Sequence, residues 1–132
     1  MKTCNYCFKR IDDRSKTNLC SICLNNKHLN DKFNNWLENG DLGIKIGTTL
    51  RFKMREKVLE YYGNCCSICG IKEIWNEKKL NLILDHIDGN ASNNRKENLR
   101  FVCPNCDSQL DTYKSKNKNS ARKHRHKYTE VV

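Results

Sequence analysis

The sequence predicts a small α+β fold held together by zinc more than by a large apolar core. Two observations carry this. Eight of the nine cysteines among 132 residues fall into four Cys-x-x-Cys pairs, and only 37% of the chain is hydrophobic against 30% charged. A chain of this length makes one domain or two very small ones, and one this polar has little apolar surface to bury. A two-residue gap lets both thiolates of a tight turn face one ion, and two such knuckles complete a tetrahedral zinc shell. Two structural Zn²⁺ ions are therefore expected, one on Cys4, Cys7, Cys20 and Cys23, the other on Cys66, Cys69, Cys103 and Cys106. Cys65, which abuts Cys66, reads as a spare or buried thiol. A disulfide framework belongs to secreted chains, but Met1-Lys2-Thr3-Cys4 has no apolar signal core. No run approaches the roughly 18 apolar residues that span a bilayer. A cytoplasmic protein without a membrane partner is expected.

Residues 1–28 read as an N-terminal four-cysteine zinc finger or ribbon, with twelve residues between Cys7 and Cys20 and a turn at Asp12-Asp13. It either contacts DNA or braces the rest of the chain. Residues 29–49 read as a helix and linker: Leu29, Phe33, Trp36 and Leu37 share one face over 29–38, and Gly40 stops the helix. Residues 50–114 form the second unit. It opens with a helix over 50–62, striped by Leu50, Met54 and Val58, with Thr49 able to cap it and Gly63 able to end it. A strand at 82–87, a loop at 88–98 rich in turn formers, a strand at 99–102 and a helix from Asp107 to about Lys114 complete it. One zinc site would clamp the entrance of this unit to its turn into the last helix.

Residues 115–132 read as a basic tail. The chain carries a formal net charge of +10, a balance that suits a polyanion, and nucleic acid is the usual one. From Tyr113 to Tyr128 there are seven Lys/Arg and no acid. Such a run is either solvated surface or a segment that orders on phosphate.

The residues that carry chemistry lie between the second pair of knuckles. His86 has Asp85 beside it, Asn98 twelve residues on and Asp107 nine after that. Hydrolysis of a phosphodiester needs a base for the water and a cation for the developing charge. An imidazole with an ordinary pKa near 6.5 accepts a proton at neutral pH, so His86 is the candidate base. Carboxylate oxygens suit Mg²⁺ or Mn²⁺; Asp85 and Asp107 are the candidate pair. Asp111, one helical turn beyond Asp107, is a candidate third ligand. Asn98 would tie the loop across the hairpin. One tension is geometric: strand neighbours point to opposite faces. Asp85 and His86 can then serve one phosphate only if metal and water approach from different sides or the strand distorts.

Cys66-Ser67-Ile68-Cys69-Gly70, Asp85-His86-Ile87-Asp88-Gly89-Asn90, Asn93-Asn94, Glu97-Asn98-Leu99-Arg100 and Cys103-Pro104-Asn105-Cys106 together resemble the HNH endonucleases common in phages and mobile elements. The resemblance covers about residues 45–125. It implies a ββα-metal fold clamped by a four-cysteine zinc site, and a divalent-metal-dependent nuclease acting on duplex DNA as a monomer or homodimer. It also implies His86 as base, Asp85 as metal ligand and Asn98 as the central Asn. Asp107 departs from the pattern, which usually has His there, sometimes Asn; this implies an altered metal preference. Arg100 and the tail cations Lys114, Lys116, Lys118, Arg122, Lys123, Arg125 and Lys127 are the expected DNA contacts. The alternative is a catalytically inactive zinc module that binds nucleic acid. Retention of Asp85, His86 and Asn98 together favours the enzyme.

Overall fold

Strand β1 (Lys2–Thr3) pairs antiparallel with β2 (Arg10–Ile11), and the chain between them folds into a knuckle. The N–H of Cys4 donates to Lys9 C=O at 2.8 Å, and that of Phe8 to Cys4 C=O at 2.9 Å. The computed structural model describes residues 1–46 and 48–121. Asp12 makes the expected turn, accepting from the N–H of Arg14 at 2.8 Å.

Helix α1 runs over Ser21–Asn39, not over 29–38 as predicted. It starts inside the second cysteine pair, because Cys20 caps it with its own sulfur, accepting from the N–H of Cys23 at 3.4 Å. The polar stretch Asn25-Asn26-Lys27-His28 concealed these first turns, since no apolar stripe marks them. The helix ends where predicted, with Gly40 at φ 70° and its N–H on Trp36 C=O. The finger and the helix are therefore continuous.

Helix α2 (Phe52–Tyr61) lies within the predicted span, but Arg51 holds the N-cap position and no side chain caps it. Thr49 is too far upstream. Next comes a hairpin that the sequence reading missed, β3 (Ile74–Trp75) with β4 (Lys78–Lys79). Asn76 and Glu77 both turn with positive φ, 50° and 62°, the signature of a two-residue type I′ turn. Strand β5 (Ile83–His86) then pairs antiparallel with β6 (Leu99–Val102), placing Asp85 opposite Arg100 and His86 opposite Leu99.

Helix α3 covers only Pro104–Ser108, so the helix predicted from Asp107 to about Lys114 is corrected. Ser108, Asp111 and Thr112 are weak helix formers, and the chain continues as successive turns to a short 3₁₀ turn at Lys114–Lys116. The next residues are held on the loop before β6: Asn117 Nδ2 donates to Gly89 C=O at 2.7 Å and Asn119 Nδ2 to Asp88 C=O at 3.2 Å.

The core forms where α1, α2 and the β5–β6 hairpin meet. Trp36, Val58, Phe101 and Val102 are fully buried, with Met54, Leu59, Leu82 and Leu99 around them. Trp36 meets Tyr61 and Tyr62 edge-on at 5.5 and 6.0 Å between centroids, and Tyr62 meets Phe101 at 6.2 Å. Edge-to-face contacts suit the ring quadrupole. Cys66 and Cys103 are part of this core, which joins the second cysteine cluster to it. No helix among the described residues is long and apolar enough to cross a membrane.

Candidate active site

Two sets of four cysteines bring all their sulfurs within 4.8 Å of one another: Cys4, Cys7, Cys20 and Cys23, and Cys66, Cys69, Cys103 and Cys106. Cys7 and Cys20 lie 3.6 Å apart, Cys69 and Cys103 3.7 Å. A tetrahedron with Zn–S bonds of about 2.3 Å has an edge of about 3.8 Å, so both sets fit zinc. Both are built alike, from a knuckle and a helix N-terminus. Cys103 caps α3 as Cys20 caps α1, accepting from the N–H of Cys106 at 3.4 Å. Within each set the thiols compete for charge. Backbone N–H groups of Cys7 and Cys20 hold Cys4 down at about 6, while a bond to the Cys20 sulfur and burial push Cys23 up to about 12. Burial raises Cys66, but the N–H groups of Cys69, Cys103 and Ile68 outweigh it, leaving about 6; Cys106 rises to about 12 against Cys103. A dication relieves that crowding of negative charge. Cys65 stands outside both sets.

The cleft beside the second cluster has a volume of about 310 Å³. Asp85 and His86 reach it from β5, Asp107 from α3, and Lys114 and Asn117 from the segment after α3. Asp85 and His86 therefore open onto one cleft despite being strand neighbours. His86 ends β5, and the turn begins at once, with Gly89 N–H on His86 C=O at 2.8 Å.

His86 Nε2 lies 2.7 Å from Asn94 Oδ1. An amide oxygen only accepts, so on a neutral ring this contact puts the proton on Nε2 and leaves Nδ1 its lone pair. The loop that carries Asn94 is fixed at three successive residues. Trp36 Nε1 donates to Asn94 C=O at 2.7 Å, and the Tyr62 hydroxyl donates to Lys96 C=O at 2.6 Å. Between them Gly40 packs so close to Arg95 that a Cβ would lie 3.2 Å from its Cα.

Asn98 ties the loop to the hairpin. Its Oδ1 accepts from Asp88 N–H at 3.1 Å, its Nδ2 donates to Asp88 Oδ1 at 2.9 Å and Asn93 C=O at 2.8 Å, and its C=O accepts from Ile87 N–H. Asp88 is the hub. Bonds from Asn93 Nδ2, the Asn90 N–H and Asn98 hold its carboxyl below the ordinary value.

Asp85 Oδ2 accepts from Arg100 Nε at 2.8 Å, so the guanidinium expected on DNA is turned onto the carboxylate opposite it. Burial, then the charge of Asp85, raises the pKa of Asp107, and Lys114 opposes this. Asp111 is exposed beyond the end of α3 and does not line the cleft. Lys116 and Lys118 are exposed. Arg122, Lys123, Arg125 and Lys127 lie outside the described residues. In the sequence, Asp88, Asn93 and Asn94 read as turn formers and as parts of the motifs that resemble the H-N-H family, with no role of their own at His86. The Asp88-Gly89-Asn90 spacing marks an Asx turn, whereas no local signal ties Asn94 to His86.

No protein-family model and no solved structure matches the chain. Over 68 residues, 50% of its length, it is 38% identical to the H-N-H endonuclease F-TflIV of Escherichia phage T5. The chain resembles an H-N-H endonuclease. It spans 30% of the length of that H-N-H relative, so the likeness concerns a part of the phage enzyme.

Proposed function

We propose that the chain is a divalent-metal-dependent H-N-H endonuclease of the ββα-metal class that cuts DNA, with His86 as general base. The observation that carries this is the 2.7 Å contact of His86 Nε2 with Asn94, in a cleft walled by two carboxylates. Nδ1 of His86 takes a proton from water as the oxygen attacks phosphorus, and the bond to the 3′ oxygen breaks in line. Asn94 fixes the ring; Asn98 and Asp88 fix the loop that carries Asn94. Lys114 stands at the cleft where a phosphate would enter. Asp85 and Asp107 have the hard oxygens that Mg²⁺ or Mn²⁺ prefers, and their mutual repulsion suits a cation between them; it would neutralise the phosphate and the leaving oxygen. The Asp85–Arg100 ion pair favours one second reading, an inactive nucleic-acid-binding module in which the guanidinium replaces the cation.

Supercoiled plasmid incubated with Mg²⁺ or Mn²⁺ distinguishes the two. The parent chain should nick or linearise it, and metal withheld should leave it intact. His86→Ala should slow cutting by about 10²–10⁴-fold with DNA affinity nearly unchanged, since a base acts in the transition state. Uncut plasmid with either metal, or a parental rate from His86→Ala, refutes the assignment.

A further inference from the structure

The finger has a surface that the cleft at His86 does not use. The turns at Cys4–Cys7 and Cys66–Cys69 close with the same bond, Phe8 N–H to Cys4 C=O and Gly70 N–H to Cys66 C=O, each 2.9 Å. The residue after the second cysteine is left-handed in both, at φ 63° for Phe8 and 78° for Gly70. Glycine takes that conformation freely and phenylalanine does so under strain. Packing does not account for the aromatic, because Phe8 is 76% exposed and Tyr6, two residues before it, 79%. Lys9 and Arg10 come next, both exposed. The acids of the finger are engaged elsewhere: Asp12 with Arg14, and Asp13 with the N–H of Lys2.

Tyr6 also stands on a cleft of about 730 Å³ between the finger and the helices. Lys27, Asn26 and Asn30 of α1 and Lys57 of α2 line it, with Asp31 as its one acid. Leu19, Leu29 and Cys23 complete its lining, which is more apolar than polar. Exposed rings and an apolar floor edged by cations and amides match the chemistry of an unpaired nucleic-acid strand: bases present π-faces for stacking, and phosphates need positive charge.

We propose that this cleft and the Tyr6–Phe8 knuckle bind a single DNA strand, such as an unpaired stretch beside the duplex that is cut. Tyr6 and Phe8 stack on bases, and Lys9, Arg10, Lys27 and Lys57 meet phosphates. The inference rests on the nuclease reading, and makes the finger a DNA-holding element as well as a brace.

The test uses the full chain with His86→Ala, so that DNA survives, and labelled single-stranded and blunt duplex oligonucleotides titrated across a salt series. Phe8→Gly with Tyr6→Ala should retain two zinc ions, since Gly70 already shows that glycine closes this knuckle. Its affinity for the single strand should fall about tenfold or more. Lys27→Gln with Lys57→Gln, an exposed lysine and a half-buried one whose ammonium lies 5.3 Å from the Phe33 ring centroid, should keep the parental circular dichroism and make the salt slope on the single strand shallower by about 1.4. Parental affinity and slope in both variants would overturn the inference. So would a parent chain that binds duplex but not single strand. A parent that binds neither overturns the nuclease reading along with it.

Discussion

His86 is set in place by a residue that carries no charge. Asn94 Oδ1 accepts from Nε2 and so decides which nitrogen of the neutral ring keeps its lone pair. Asn94→Ala should lower kcat by about ten- to a hundredfold, the cost of a base out of register, with KM and DNA affinity little changed; Asn94→Asp, which keeps an acceptor, should recover part of the loss. Equal kcat for Asn94→Ala and parent in single-turnover cleavage would refute the role. Asp88 acts on the same loop through charge. Bonds from Asn93, Asn90 and Asn98 depress its carboxyl below 3.8. A depressed acid contributes stability that is present above its unfolded value and fades as pH falls through the folded one. Asp88→Asn should therefore have a lower urea midpoint than the parent at pH 7, and the gap should narrow as pH drops below about 3.8. A gap of constant size down to pH 3 would count against it.

Among the elements, legibility followed periodicity and spacing. The β5–β6 hairpin was readable because turn formers bracket short apolar runs, and α2 because its stripe is regular. Helix α1 was readable only in its second half, since the first turns are polar and owe their start to a cysteine sulfur. The α3 boundary failed for the opposite reason: Asp107 and Asp111 invited a helical spacing that Asp111-Thr112 does not sustain. The β3–β4 turn at Asn76-Glu77 has no glycine and so gave no signal. Asp85, His86, Asn98 and Asp107 could be picked out from their spacing, but the buttress beneath the loop could not, because it joins residues 58 and 34 apart in sequence. That buttress predicts a remote effect. Trp36→Phe keeps a ring in the core but removes the donor to Asn94 C=O. It should cost about 1–3 kcal/mol in urea unfolding and also slow cleavage. Parental activity in the folded variant would show that the loop does not need the strut.

For the whole molecule, the second cysteine cluster is built into the apolar core through Cys66 and Cys103. Metal analysis should return two zinc ions per chain, and strong chelation should unfold the second unit, where Cys66 and Cys103 are part of the core. A chelated chain with unchanged circular dichroism would contradict this. Asn117 and Asn119 hold the loop at Asp88-Gly89, so cutting at Lys114 would damage the site, whereas deletion of 122–132 removes only Arg122, Lys123, Arg125 and Lys127 of the expected contacts. That deletion should leave zinc content intact and make the salt slope on duplex DNA shallower by up to about 3.6; an unchanged slope would leave the tail with no part in binding. The chain has two tryptophans, and they differ completely in setting: Trp75 is 64% exposed, Trp36 fully buried with its indole N–H on the loop that steers His86. With Trp75→Phe, the ultraviolet emission of the protein would come from one indole seated against the loop that carries Asn94. Its wavelength would then report, without any attached dye, whether that loop is closed on Trp36 or has let water in.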